Sequence, residues 1–67
     1  MNDTFTLPDM TCGHCEARVT RALQALEGVE SVTIELSRQQ AEVGWDESRT
    51  TRDRIREVLT KAGYPPR

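Results

Sequence analysis

Aromatic residues are scarce in this sequence: Phe5, Trp45 and Tyr64 are the only three. With so few rings to stack bases on, a platform for single-stranded nucleic acid is not expected. Nor is there an excess of positive charge. Nine basic residues stand against eleven acidic ones, giving a formal net charge of −2, and the basic residues form no run that would track a phosphate backbone. Long apolar stretches are missing as well, and nothing approaches the ~18 residues of a membrane span. The start, Met1-Asn2-Asp3-Thr4-Phe5, has neither the basic opening nor the apolar core of a secretory leader. The expectation is a cytoplasmic protein with no nucleic-acid partner and no direct membrane insertion. Length is limiting too. At 67 residues the chain reads as one small domain, too short to wall a deep two-lobed cleft.

Cysteine is equally sparse, and its spacing is informative. Cys12 and Cys15 are the only two, three positions apart. A disulfide that close encloses almost no loop and constrains the unfolded chain little. In a reducing compartment such a pair points to metal binding or thiol redox chemistry.

The pattern along the chain places this pair. Thr4 to Leu7 alternates polar and apolar residues, predicting a short strand with Phe5 and Leu7 inward, ended by Pro8 and Asp9. Cys15, Val19, Ala22 and Leu26, broadened by Leu23, form one face of an amphipathic helix, with Gly28 placed as its left-handed cap. Val32, Ile34 and Leu36 alternate in a second strand. Ala41, Val43 and Trp45 alternate in a third, across a polar turn at Ser37–Gln40. Thr50-x-x-Asp53 resembles a capping box opening a second helix, whose inner face is Ile55, Val58, Leu59 and Ala62 and whose cap is Gly63. The tail, Tyr64-Pro65-Pro66-Arg67, leaves at most a stub of a fourth strand, because proline cannot donate to a ladder. The order predicts an α+β, ferredoxin-like βαββαβ sandwich: an antiparallel sheet, two helices on one face, and a last strand that is short or irregular.

The thiols therefore fall where a loop enters a helix. Cys15 lies in or near the first turn, where free N–H groups and the positive end of the helix dipole favour a thiolate. Gly13 gives the loop freedom to change shape. A disulfide needs sulfurs about 2.05 Å apart, whereas two sulfurs either side of a metal need roughly twice a bond of about 2.3 Å. Two thiolates cannot complete the four-ligand shell of structural zinc. Soft, low-coordinate sulfur suits Cu(I), and mercury(II) satisfies the same geometry.

Met10-Thr11-Cys12-Gly13-His14-Cys15 after a short strand resembles the MTCxxC motif of the heavy-metal-associated domain, found in small copper chaperones and in heavy-metal-transporting P-type ATPases. The resemblance extends over nearly the whole chain, 1–67, through the hairpin and second helix to Gly63-Tyr64. It implies a ferredoxin-like fold, no enzymatic activity, and delivery of Cu(I) to a P-type ATPase by ligand exchange. It also implies Cys12 and Cys15 as metal ligands, Met10 as a buried anchor of the loop, and Tyr64 beside the metal. The sequence departs from the family pattern in two places near the motif: Asp9 stands where a glycine often precedes the methionine, and His14 places a potential ligand at a variable position. A copper-bridged homodimer through two thiol pairs is expected at high concentration.

Cys-Gly-His-Cys is also the active-site tetrapeptide of thioredoxin-like oxidoreductases. Against that reading, Thr11 replaces the tryptophan usual before the first cysteine, and no mid-chain proline can face the thiols. A module of purely structural role would leave the cysteines without a purpose. His14 at a loop–helix junction most simply faces solvent, with ligation, bridging or charge tuning as its functional readings. Met10 fits the core better than a ligand shell. Arg18 and Arg21, one and two turns along the motif helix, read either as a solvated face or as a surface that steers an acidic partner.

Overall fold

The computed structural model describes residues 1–67. Strand β1 spans Asn2–Thr6, helix α1 Gly13–Gln24, β2 Val29–Glu35, β3 Gln40–Trp45 and α2 Arg52–Lys61, with a short 3-10 turn at Leu36–Arg38. The strands form one antiparallel sheet in the order β1-β3-β2. The third strand in sequence is thus the central one, and both its neighbours pair with it. That placement explains burial: Ala41, Val43 and Trp45 of β3 are fully enclosed, whereas Val32 and Ile34 of the outer strand β2 are half-buried.

Alternation separates the two faces of the sheet. Phe5, Ala41, Val43 and Trp45 point inward, while Thr4, Glu42 and Thr33 are exposed. Val19 and Leu23 of α1 and Ile55 and Leu59 of α2 pack on the inner face, completing a cluster of eleven buried residues with Leu7, Met10 and Tyr64. This is the ferredoxin-like arrangement expected, with two helices on one face of an antiparallel sheet. The fourth strand is reduced to a single backbone bond, from the Arg67 N–H to the Thr6 carbonyl at 2.8 Å. Pro65 and Pro66 have no N–H to extend it.

Two capping expectations shift. Helix α1 ends at Gln24, so Gly28 lies four residues beyond it, in the turn before β2 rather than at the cap. Its φ of +102° still demands glycine, and a Cβ there would sit 2.9 Å from the Arg49 Cβ. Leu26 misled the boundary, because it continues the apolar spacing while lying in the turn, half-buried against the core. At the second helix the cap is Thr51, whose hydroxyl accepts from the Arg54 N–H at 3.2 Å, and Thr50 is buried instead. Gly63 does close α2, at φ +96°. The Gly63 N–H donates to the Thr60 carbonyl (3.1 Å) and the Tyr64 N–H to that of Leu59 (2.9 Å), the paired bonds of a Schellman motif. This turn directs Tyr64 back into the core beneath the thiols.

Candidate metal centre

The loop between β1 and α1 is braced before it reaches the cysteines. The Leu7 N–H donates to the Gln39 carbonyl at 2.7 Å, the Gln39 side-chain amide donates to the Pro8 carbonyl at 3.1 Å, and the Met10 N–H donates to the Leu7 carbonyl at 3.0 Å. Gln39 can do this because it closes the 3-10 turn in a left-handed conformation, φ 54°. Met10 then enters the core with no exposed surface. Everything up to Met10 is therefore anchored, and Thr11, Cys12, Gly13 and His14 stand exposed beyond it.

Cys12 is the N-cap of α1 in an extended conformation, and its side chain caps nothing, which leaves its sulfur free for other chemistry. Its carbonyl accepts from the N–H groups of Cys15 (3.1 Å) and Glu16 (3.2 Å), so the first helical turn fixes the relation between the cysteines. The two sulfurs lie 2.9 Å apart, Cys12 exposed and Cys15 half-buried against the core, and both are free thiols. This separation falls between the about 2.05 Å of a disulfide and the roughly 4.6 Å of two sulfurs flanking a metal at about 2.3 Å each. Closure and opening are both short moves, and a Cβ at Gly13 would meet nothing within 4 Å, so the loop has room for them.

The electrostatics favour one anion. The Cys15 thiol is lowered to about 7, chiefly by hydrogen bonding from the Cys12 thiol, then from the Tyr64 phenol and from the backbone of Thr11 and Cys12, against a smaller opposing effect of desolvation. The Tyr64 phenol is correspondingly raised, first by that bond to Cys15 and then by its burial; Arg18, which also reaches the phenol oxygen, pulls the other way. Tyr64 thus keeps its proton and lends it to the neighbouring sulfur. These hydrogen bonds favour the thiolate form of Cys15 over its thiol.

Of the residues singled out from sequence, Cys12, Cys15 and Tyr64 are brought together, and Met10 lies beneath them in the core. His14 is not gathered in. It is exposed, and no third His, Cys, Asp or Glu joins the sulfurs as a metal-binding group. The donor set is two soft sulfurs at an open rim, which suits a soft ion held at low coordination number. Sequence reading passed over Gln39 as an ordinary turn residue; its partner lies 31 positions away, and no local pattern signals the contact. No helix is long and apolar enough to cross a membrane.

Comparison with known proteins places this geometry in context. The sequence matches the profile described as "Heavy-metal-associated domain" over residues 4–65. "Copper chaperone CopZ" of Staphylococcus haemolyticus is 33% identical over 64 residues, covering 96% of this chain and 94% of that protein. "Mercuric transport protein periplasmic component" of Pseudomonas aeruginosa is 34% identical over 62 residues, covering 92% of this chain and 68% of that protein. Among solved structures, a copper-binding domain from HMA7, a P-type ATPase, superposes with a TM-score of 0.94 at 26% identity, covering 98% of this chain and 89% of that domain.

Proposed function

The chain belongs to the heavy-metal-associated domain family, and from that premise we propose that residues 1–67 act as one such domain: a cytoplasmic, non-enzymatic Cu(I) carrier that delivers copper to a heavy-metal-transporting P-type ATPase. Cys12 and Cys15 hold the ion as thiolates, Gly13 lets the loop widen, Met10 anchors it, and Tyr64 steadies the anion on Cys15. The observation that carries this reading is the sulfur pair itself, 2.9 Å apart at an exposed rim with one thiol lowered to about 7. Such a site holds a soft ion firmly yet leaves it open to attack. An incoming thiolate forms a third copper–sulfur bond, one bond to Cys12 or Cys15 breaks, and the released thiolate stays anionic or takes a proton from solvent. Copper remains Cu(I) throughout. The ATPase domain of the same fold supports the choice of acceptor, since a partner built this way can present its own sulfurs at an equivalent rim.

Mercury(II) is the second reading, favoured by the mercuric relative. Charge supports copper over it. Two thiolates around Cu(I) leave a net negative complex, around Hg(II) a neutral one, and Arg18 beside Tyr64 places a cation where the former gains more. The test is competition for Cu(I) against a chelator of known affinity, repeated for Hg(II), beside an insulin-reduction assay. Tight Cu(I) binding that Cys12→Ser or Cys15→Ser abolishes, with the circular dichroism of the fold retained and no reductase activity, is the expected result. Undiminished binding in either variant, or reductase turnover, would overturn the assignment.

A further inference from the structure

Three residues of this chain adopt a positive φ, and two of them, Gly28 and Gly63, are glycines. The third is Gln39, at 54°, where the 3-10 turn passes into β3. Glutamine gains nothing from the left-handed region. Its Cβ crowds the backbone there, and glycine, asparagine or aspartate would fit at lower cost. A strained backbone kept with an ill-suited residue type argues that the side chain itself is needed. That side chain reaches the Pro8 carbonyl, 31 positions away, at 3.1 Å. Two struts thus run from Gln39 to the base of the thiol loop, and they are separable. One is the backbone bond from the Leu7 N–H to the Gln39 carbonyl, which any residue at position 39 would keep. The other depends on the amide side chain alone. It is the single hydrogen bond that ties Pro8 or Asp9 to another part of the chain, and both of these residues are exposed.

We propose that Gln39 is a positioning residue for the thiol pair: its side-chain amide holds the Pro8–Met10 segment, so that Cys12 leaves the anchored loop at a fixed place relative to Cys15, and this raises affinity for an ion held between the two sulfurs. The proposal rests on the carrier function above and adds a residue, remote from the motif, that tunes it. A preorganised site gives up less chain freedom when it takes its ligand. Without the strut, Pro8 and Asp9 are tethered only through their neighbours, and the order they lack has to be recovered at each loading. The net worth of one hydrogen bond corresponds to a roughly threefold to tenfold change in affinity.

Two substitutions divide positioning from packing. Gln39→Gly removes the strut and the backbone strain together, whereas Gln39→Met removes the donor but keeps the length, the neutral charge and the strain. Cu(I) affinity, measured by competition with a chelator, should fall roughly threefold to tenfold in both. The urea midpoint should hold or rise in Gln39→Gly, because relief of the left-handed conformation offsets the greater freedom of glycine in the unfolded chain. Affinity lost in both variants while at least one keeps its midpoint supports the proposal. Wild-type affinity in either variant overturns it, as does a midpoint that falls in both in step with affinity. A metal-free arm uses nitrogen-15 relaxation of the reduced protein. In Gln39→Met the backbone order parameters of Asp9–Gly13 should drop from the rigid range, about 0.85, toward the flexible range below about 0.6, with β3 unaltered. Unchanged order in that segment overturns the positioning role alone, since the wild type would still bind Cu(I). A wild type that binds no Cu(I) overturns the carrier function and this proposal with it.

Discussion

Met10 lies in the core beneath the thiol pair, and substitution tells packing there apart from ligation. Its side chain has no exposed surface and belongs to the same cluster as Leu7, Val19 and Tyr64. Met10→Ala deletes three heavy atoms from that cluster. Lost transfer free energy is about 2 kcal/mol at ~0.8 kcal/mol per methylene-sized group, and the cavity left behind adds about 1 kcal/mol. A domain of 67 residues has roughly 3–10 kcal/mol of stability in total, so a loss of about 3 kcal/mol is a large share of it. Trp45, 3% exposed, reports unfolding by fluorescence. With a urea slope of about 1 kcal/mol per molar, the midpoint should fall by about 3 M. Met10→Leu conserves volume and should cost less than about 1.5 kcal/mol, and on the proposed function it should leave Cu(I) affinity unchanged, as expected of an anchor. A loss under about 1 kcal/mol in the alanine variant would refute the packing argument. A tenfold or greater loss of copper affinity in the leucine variant would refute the anchor role.

Three further outcomes follow from particular contacts. The far-ultraviolet thiolate absorbance of the reduced protein should rise with a midpoint near the value of about 7 set for Cys15, and Tyr64→Phe, which removes the second-largest of the hydrogen bonds responsible, should move that midpoint upward; a midpoint unmoved in the variant would deny Tyr64 its part. Because the folded thiol titrates below its unfolded value, its contribution to stability is present above the ordinary thiol range and lost as pH falls through about 7, so denaturant midpoints should decline across that interval in wild type and not in Cys15→Ser. Gly28→Ala combines a φ of +102° with a Cβ 2.9 Å from that of Arg49, and should lower stability by about 1–3 kcal/mol, measured by urea titration; a neutral result would show that the 46–50 loop yields freely.

Most of the fold was legible because period and burial agree. Phe5 and Leu7, Val19 and Leu23, Ala41 and Val43, and Ile55 and Leu59 were all assigned inward by spacing alone, and all are buried. Order in space came only through the fold class and from no local pattern. Nothing local reveals that β3 lies between β1 and β2, and hence that Trp45 is enclosed while Ile34 is only half covered. Helix ends were legible to within a few residues. Two consecutive threonines, Thr50 and Thr51, gave the cap no unique position, and the choice is made by burial of the first under the Gly28 turn. Of the candidate site, the thiols, Met10 and Tyr64 were marked by type and motif. The bracing by Gln39 and the reach of Arg18 to Tyr64 depend on contacts between separate segments, to which periodicity is blind.

The bracing of the loop has a consequence for turnover. Since the chain is tethered through Leu7, Pro8 and Met10 on one side and by the first bonds of α1 on the other, only the short tip Thr11–His14 is left to respond when coordination changes. A change of spacing between the two sulfurs then needs only a handful of torsions in this tip, with the bracing bonds kept. On the carrier function proposed above, such a site would have little to reorganise between one delivery and the next, and encounter with the recipient is expected to set the pace of exchange.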